Sequence, residues 1–204
     1  MTPLRVLHVD SGREYRGGQN QVRLLARELA REAGVEQRVV TKGRSELARR
    51  VASDGVVVRE VPWGPSLDPR ALWQLYREVT DFEPNLLHAH DSHALQLAYW
   101  GRRLAGSRKP VLVATRRVDF HVRRRSVWFQ VDCAIAISEA VKAILVEDGM
   151  PAADVARKIV VALRKNRTET VVGRDARWML RMNRFFPRLL DWLIGRRIRR
   201  LYAS

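Results

Sequence analysis

Three short polar segments of this sequence carry the side chains that could do chemistry. The first is the glycine pair Gly17-Gly18, which is followed by Gln19 and stands just before a helical pattern. Paired glycines let a backbone approach a ligand closely, and the free N–H groups at a helix N-terminus attract an anion such as phosphate. The alternative is a flexible turn with no ligand. The spacing is not GxGxxG, so a nicotinamide site is disfavoured.

The second segment, residues 88–93, holds three histidines and a carboxylate after a short apolar run. We expect no metal here, because a turn from strand to helix does not give the i, i+4 spacing of a helical zinc site and no HExxH motif is present. With His88 and His90 taken to point to opposite sides of the strand, one of them at most faces a cleft. His90 and Asp91 are candidate catalytic residues, although Asp91 or Ser92 could simply cap the following helix.

The third segment, residues 115–121, is followed by Arg123, Arg124 and Arg125. Arginine forks bind phosphate or carboxylate through two hydrogen bonds, so Arg116 and Arg117 are candidate substrate-binding residues. Asp119 is a candidate catalytic base or orienting group, and His121 is an alternative to it. The alternative is a solvated basic loop with an arginine–aspartate ion pair and no binding site, and this segment alone does not distinguish the two.

Strand-like apolar runs alternate with helical patterns through the first 150 residues, which predicts an α/β fold, a Rossmann-like doubly wound parallel sheet with a basic helical C-terminal tail. Strands are predicted near residues 4–9, 37–41, 56–61, 86–88, 111–115 and 133–137, and helices near 18–32, 45–53, 69–82, 93–104 and 139–147. Ligands of such sheets collect beyond the carboxyl ends of the strands. The three polar segments all follow predicted strands, which favours one shared site.

Charge is spread unevenly along the chain. The 204 residues have a formal net charge of +16, and residues 163–204 hold 12 Lys/Arg against 3 Asp/Glu. Such a tail is expected to bind the phosphate groups of nucleic acid, anionic lipid or a substrate.

The single cysteine, Cys133, lies in an apolar run and is interpreted as a buried residue of a reducing compartment. With no signal peptide or membrane-spanning run, a cytoplasmic location is expected, with a peripheral position at the inner face of the membrane as the alternative.

The tail has an amphipathic helical pattern. Arginines at helical spacing form one stripe and apolar residues gather opposite, which is typical of a helix lying on anionic lipid. A helix packed on the domain would show the same pattern, and Pro187 interrupts it. The predicted membrane-binding residues are Arg177, Trp178, Arg181, Arg184, Phe185 and Arg188.

Four segments in order resemble the N-terminal half of a family 4 retaining glycosyltransferase with two Rossmann domains. They are Arg16-Gly17-Gly18-Gln19-Asn20-Gln21-Val22, His88-Ala89-His90-Asp91-Ser92-His93-Ala94, Thr115-Arg116-Arg117-Val118-Asp119-Phe120 and Ala134-Ile135-Ala136-Ile137-Ser138-Glu139-Ala140-Val141. The resemblance covers about residues 3–150. It implies an acceptor pocket in this half, with the glycine loop near the donor diphosphate.

The same resemblance marks the residues to suspect. It implies a nucleotide-sugar as co-substrate, an acceptor glycan or lipid, no other cofactor and no metal. No catalytic histidine carries over, because Arg116-Arg117 stand where many relatives have one. The implied substrate-binding residues are Gly17, Gly18, Gln19, Arg116, Arg117, Ser138 and Glu139.

The end of the chain departs from this family. Members normally continue into a second Rossmann domain that holds the nucleotide-sugar, whereas residues 155–202 resemble the C-terminal tail of a short-chain dehydrogenase through Lys165–Gly173 and Phe186–Asp191. The dehydrogenase's glycine-rich loop and Tyr-x-x-x-Lys pair have no counterpart. We therefore expect two regions, 1–150 and 151–204, joined near residues 150–159 by fusion or by a gene-model error.

Several functions stay open on this evidence. A glycosyltransferase lacking its donor domain would need a partner chain or a homodimer to complete the cleft. A non-catalytic substrate- or membrane-binding module is the main alternative. Nucleic-acid binding is disfavoured, because no zinc finger, RNP motif or helix-turn-helix is present.

Overall fold

The computed structural model describes residues 3–64, 67–106, 109–123 and 126–150. Six strands lie in this part of the chain, and every neighbouring pair of them is parallel. They are β1 (Leu4–Asp10), β2 (Val35–Lys42), β3 (Val57–Val61), β4 (Leu86–Ala89), β5 (Val111–Arg116) and β6 (Cys133–Ala136).

Five α-helices connect or follow these strands. They are α1 (Gly17–Leu29), α2 (Glu46–Ser53), α3 (Pro69–Phe82), α4 (Ser92–Leu104) and α5 (Glu139–Glu147), and a short 3₁₀ helix, Val127–Gln130, precedes β6. Local sequence explains their starts: Ser45, Asp68, Asp91 and Ser138 each accept a backbone N–H from the first turn of the following helix.

The strand order is β3-β2-β1-β4-β5-β6. The chain winds outward from β1 in one direction and, after crossing to β4, outward in the other. β1 and β4 are therefore neighbours, with His8 opposite His88 in the register. This is the switch point at which open α/β sheets bind ligands.

Separate apolar clusters cover the two faces of the sheet. On one face, α1 and α2 pack on β2 through Val22, Ala26, Val39, Leu47 and Val51. On the other, α3 and α4 pack on the central strands through a larger cluster that includes Leu7, Leu75, Leu87, Leu95 and Leu112. α3 and α4 approach each other closely, since a Cβ on Gly101 would come within 3.0 Å of Leu75 Cδ2.

The predicted α/β class and all the predicted elements of the first 150 residues are confirmed, with ends that differ by a few residues. The 3₁₀ helix at Val127–Gln130 was not predicted, because a single turn has no periodic pattern to reveal it. Cys133 is buried as expected. Within the described ranges, no helix has the length and apolar character that crossing a bilayer requires. The predicted tail helix, its membrane-binding residues and its dehydrogenase-like segments lie outside the described residues.

Candidate functional site

The carboxyl ends of β1, β4 and β5 bring the three polar segments to one edge of the sheet. Asp10 ends β1, His90 and Asp91 follow β4, and Arg116 ends β5 with Arg117 directly after it. The glycine pair opens α1 at the same edge, where Gly17 is exposed and Gly18 is half-buried. The sequence expectation that these segments share an edge is therefore met.

Asp10 lies at the bottom of this edge and is fully buried. Its carboxylate accepts the Gly12 N–H at 2.9 Å and the Gln19 side-chain amide at 3.2 Å. Burial raises the pKa of Asp10, the charge of Asp91 raises it further, and these hydrogen bonds and Arg117 act in the opposite direction. Asp10 thus fixes the shape of the loop before α1 and places a carboxyl group under the cleft.

Asp91 joins the β1 loop to the start of α4. Its carboxylate accepts the Ser11 N–H at 2.8 Å and the Ser11 hydroxyl at 2.6 Å. It also accepts the N–H groups of His93 and Ala94, each at 2.9 Å. Asp91 is therefore the N-cap of α4, the structural role that the sequence left open, and it ties two neighbouring strand ends together.

Arg117 and the glycine pair lie against each other. Arg117 Nη1 donates to the His90 carbonyl at 2.6 Å, and a Cβ on Gly18 would come within 3.0 Å of Nη1. Arg117 Nε is buried and has no hydrogen-bond partner in the described part of the chain. Burial lowers the pKa of Arg117, and the charges of Asp10 and Asp91 oppose that shift. The cluster therefore holds a guanidinium with a free donor beside the first turn of a helix.

Gln19 links this turn to Asp10. Its side-chain oxygen accepts the Arg16 N–H at 3.3 Å while its amide donates to Asp10. The first-turn N–H groups of Gly17, Gly18 and Gln19 have no carbonyl one turn earlier within the helix. They are the backbone donors that an anion at this edge would meet.

Arg116 is turned inward, toward the loop that follows β5. Its side chain is 6% exposed, and its guanidinium donates to the carbonyls of Val118 and Phe120 and lies 5.1 Å from the centre of the Trp128 ring. Burial lowers the pKa of Arg116. These contacts hold the loop after β5 in shape. Direct substrate binding by Arg116 stays a prediction.

Asp119 and His121 lie further along this loop. Asp119 is exposed and makes no hydrogen bond or ion pair with any described residue. His121 Nδ1 lies 2.8 Å from Asp148 Oδ1, and the Val122 N–H donates to the other oxygen of the same carboxylate at 2.7 Å. The hydrogen bond to Asp148 raises the pKa of His121. Asp148 thus fastens the far end of the loop, whereas Asp119 stands free of the polar cluster.

Ser138 and Glu139, the remaining predicted substrate-binding residues, begin α5 after β6. Ser138 Oγ accepts the Val141 N–H at 3.2 Å, and Glu139 pairs with Lys142 at 2.9 Å. Within the described ranges, neither side chain has a hydrogen bond or ion pair with Asp10, Asp91 or Arg117. Their role in binding substrate stays a prediction.

The expectation that His88 and His90 point to opposite sides is wrong. Residues two apart in a strand share a side, and the ring centres of His88 and His90 are 3.9 Å apart. His8 on β1 joins them, with His8 Nδ1 3.0 Å from His90 Nε2. His88 Nε2 lies 2.8 Å from Thr115 Oγ1. We call His8, His88 and His90 the histidine cluster.

Burial keeps the histidine cluster uncharged. It lowers the pKa of His8 to about 4 and that of His88 to about 3, and it places the pKa of His90 well below its usual value. The His90 ring, predicted to be catalytic, is 2% exposed and lies against His8, while its backbone carbonyl meets Arg117. This geometry gives His90 a positioning contact with the site. A direct contact of its ring with substrate stays a prediction.

Sequence reasoning missed His8, Asp10 and Ser11. Their signal was the alternation of His8 and Asp10 within β1, which puts both side chains on one side of the strand. That alternation becomes informative only once β1 and β4 are known to be neighbours, because the partners Asp91 and His90 lie about eighty positions later.

Comparison with known proteins identifies the class of this domain. The family model described as Glycosyltransferase Family 4 matches residues 15–162, which is most of the chain. The chain therefore belongs to glycosyltransferase family 4. No curated protein matches its sequence.

Solved structures share the fold at low sequence identity. The Anabaena protein HepE in complex with UDP-glucose has a TM-score of 0.57 at 12% identity, over 82% of this chain and 51% of that one. A glycosyltransferase from Rickettsia africae has a TM-score of 0.59 at 11% identity, over 84% and 52%. The UDP-GlcNAc 2-epimerase of Neisseria meningitidis bound to UDP-GlcNAc has a TM-score of 0.53 at 12% identity, over 90% and 53%. The chain thus spans about half of the length of these proteins.

Proposed function

We propose that this chain provides the acceptor-side domain of a glycosyltransferase that moves a sugar from a nucleotide-sugar donor to an acceptor glycan or lipid. The observation that carries the proposal is the placement of Arg117 against the Gly17-Gly18 turn at the switch point, in a chain that belongs to family 4. HepE and the Neisseria epimerase, which share the fold, were solved with UDP-sugars bound. A nucleotide-sugar is therefore the ligand class to test first.

The proposed chemistry is stabilisation of a departing diphosphate. Negative charge develops on the leaving group as the bond to the sugar breaks, and preorganised donors aimed at that charge lower the barrier. The first-turn N–H groups at Gly17, Gly18 and Gln19 and the guanidinium charge of Arg117 beside them are such groups. No metal ion is needed for this role, since a guanidinium and a helix N-terminus supply the positive potential.

We assign the acceptor step of the reaction to the carboxylates at the same edge of the sheet. Asp91 holds Ser11 and the α4 start in place, so we assign it a positioning role in addition to the catalytic role predicted from the sequence. Asp119 is exposed on the adjacent loop and is the carboxylate free to meet an acceptor hydroxyl as a base. We expect Asp119→Asn to lower turnover while leaving donor binding unchanged.

Donor binding by this chain alone is expected to be weak. The family resemblance places the main nucleotide-sugar contacts in a second Rossmann domain, and a partner chain or a second copy of this chain would have to supply that wall of the cleft. The experiment should therefore measure binding and turnover separately.

The test is a binding and transfer assay with UDP-, GDP- and ADP-sugars. We compare the wild type with Gly18→Trp, which fills the turn, and with Arg117→Ala, which removes the guanidinium. Arg103→Ala, at an exposed position of α4, is the matched control for loss of one arginine. Saturable binding in the wild type and the control, lost in the two site variants, supports the proposal. Absence of any response from a cooperatively folded protein contradicts it.

A non-catalytic membrane-binding role for the tail is the second candidate, and the arginine and aromatic pattern of residues 177–188 favours it. Vesicle sedimentation at low and high salt tests it. Pelleting that depends on anionic lipid and weakens with salt supports the electrostatic interaction, and equal pelleting with neutral lipid contradicts it.

A further inference from the structure

The histidine cluster under the cleft brings three imidazole rings together from separate parts of the chain. His8, His88 and His90 are 0%, 6% and 2% exposed. Each ring offers one nitrogen, and these three nitrogens lie within 4.8 Å of one another. The sequence expectation of no metal weighed His88, His90 and His93, but His93 is exposed at the start of α4 and His8 takes its place.

We infer that the histidine cluster is a binding site for one divalent transition-metal ion, with Zn²⁺ the first candidate. Neutral imidazole is a preferred ligand of Zn²⁺, Co²⁺, Ni²⁺ and Cu²⁺, and three histidines with one open position form a known type of zinc site. Zn–N bonds of about 2.0–2.1 Å at a tetrahedral angle separate two ligand nitrogens by about 3.3 Å. His8 Nδ1 and His90 Nε2 are already 3.0 Å apart. These two nitrogens therefore already lie near the separation of two ligands of one ion, and the three nitrogens, which are within 4.8 Å of one another, would draw closer when the ion binds.

The surroundings of His8 fit a ligand that coordinates through Nδ1. His8 Nε2 and Gln37 Oε1 are both buried, and neither has a hydrogen bond of good geometry. Gln37 is nevertheless near enough to His8 to raise its pKa against the larger, opposite effect of burial. When His8 Nε2 carries the proton, it can act as a donor and Gln37 Oε1 as its acceptor. In this tautomer His8 Nδ1 has a free lone pair, and that lone pair faces His90. An oxygen that accepts the second N–H of a histidine ligand is the usual outer contact of a metal site.

Thr115 supplies a second outer contact. Its hydroxyl lies 2.8 Å from His88 Nε2 and holds the orientation of that ring. When a metal binds, the proton of the hydrogen bond between His8 and His90 moves to the far nitrogen of the donating ring, so all three imidazoles remain neutral ligands. The cluster therefore offers both the ligands and the outer contacts of such a site.

A metal here would fasten the strands that carry the cleft. His8 is two residues before Asp10 on β1, and the His90 carbonyl accepts the hydrogen bond from Arg117. One ion bound by all three rings would cross-link β1 to β4 directly below these groups. Its role is structural, so the inference does not depend on the transfer chemistry proposed above.

The test uses the full chain after treatment with a chelator, titrated with Co²⁺ and then with Zn²⁺. We expect one equivalent of Co²⁺ to bind with the strong visible absorption of a four-coordinate ion, and one equivalent of Zn²⁺ to remove that absorption. The matched control is the double variant His93→Ala/His121→Ala, which removes the other two histidines, both exposed, and should bind identically. His8→Ala should abolish the spectrum.

Thr115→Val provides a second test of metal binding, and this test does not depend on whether His8→Ala folds. Loss of an outer contact typically lowers metal affinity about 10–100-fold, and that weakening is the expected result for Thr115→Val. The inference is overturned if the folded wild type binds less than one equivalent, if its Co²⁺ spectrum is that of a six-coordinate ion, or if binding disappears in the His93/His121 double variant.

Discussion

The two loops that frame the candidate cleft are built in opposite ways. The loop after β1 is held by hydrogen bonds from Ser11 to Asp91 and from Gly12 to Asp10, and Asp10 also accepts the Gln19 side-chain amide. The loop after β5 is held at its two ends, by Arg116 and by Asp148, while Asp119 and the 71% exposed Phe120 project from it. The first loop is preorganised, and the second offers unengaged side chains.

Under the proposed function, the two loops would serve two different tasks of a transfer site. Binding a charged diphosphate needs donors whose positions are fixed before the ligand arrives, since a fixed donor pays no reorganisation cost. The glycine turn and Arg117 meet that need. Contacting varied acceptors needs exposed groups on a loop, which the segment from Val118 to His121 supplies. We therefore expect changes in the first loop to affect stability and donor binding, and changes in the second to affect the acceptor step.

The largest expected effect is that of Asp91→Ala on stability. The substitution removes the α4 cap and both contacts to Ser11, and we expect a loss of about 2–3 kcal/mol in the free energy of unfolding. Urea denaturation measures it. The matched control is Asp68→Ala, which removes the cap of α3 outside the site. If Asp68→Ala lowers the free energy of unfolding as much as Asp91→Ala does, the two contacts of Asp91 to Ser11 add nothing to the effect of the lost cap.

A smaller effect is expected for Gly18→Ala, and it falls on binding. The new Cβ must push Arg117 Nη1 aside, because the two would be 3.0 Å apart, and that end of the side chain is flexible enough to keep the fold stable. We expect donor binding to weaken about tenfold, the size of one lost hydrogen bond to a charged group. Calorimetric titration measures it.

Gly17→Ala is the neighbouring control, since a Cβ at Gly17 would meet no atom within 4 Å. Equal weakening by both alanines would mean that the ligand itself contacts both positions. In that case the loss at Gly18 could not be assigned to displacement of Arg117.

The smallest effect concerns the pH dependence of the second loop. The hydrogen bond to Asp148 raises the pKa of His121, so the pair stabilises the fold fully below the ordinary histidine pKa of about 6.5 and loses that stabilisation as pH rises through the raised value. The pKa of Asp148 is lowered, first by the Val122 N–H, so its side of the pair is lost only in acid. We therefore expect His121→Gln to lower the melting temperature slightly at about pH 5–6 and not at about pH 9.

The prediction is contradicted if the melting temperatures of the wild type and His121→Gln differ by the same amount at every pH in this range. In that case the charged His121–Asp148 pair does not stabilise the fold. His93→Gln is the control, because His93 is the other exposed histidine and has no carboxylate bonded to its ring in the described part of the chain. It should show no pH-dependent difference.

The fold was predictable from sequence because its signals are local. Apolar runs such as Leu4–Asp10 and caps such as Asp68 and Ser138 act within a few residues. The site was predictable only in part. The polar segments after the strands predicted the edge at which these residues meet, but the sequence could not reveal that Arg116 turns inward over Trp128 or that Asp91 reaches Ser11. Those contacts depend on which strands become neighbours, and nothing within either segment encodes that pairing.

The central claim is that the Gly17-Gly18 turn and Arg117 receive the diphosphate of a nucleotide-sugar. Titration of the ¹⁵N-labelled chain with UDP, followed by two-dimensional NMR, tests it most directly. We predict saturable shifts of the backbone amides at Gly17, Gly18 and Gln19 and of the Arg117 side-chain N–H, and the loss of the three backbone shifts in Arg117→Ala. Saturable shifts confined to another part of the chain, or none at millimolar UDP, would contradict the claim.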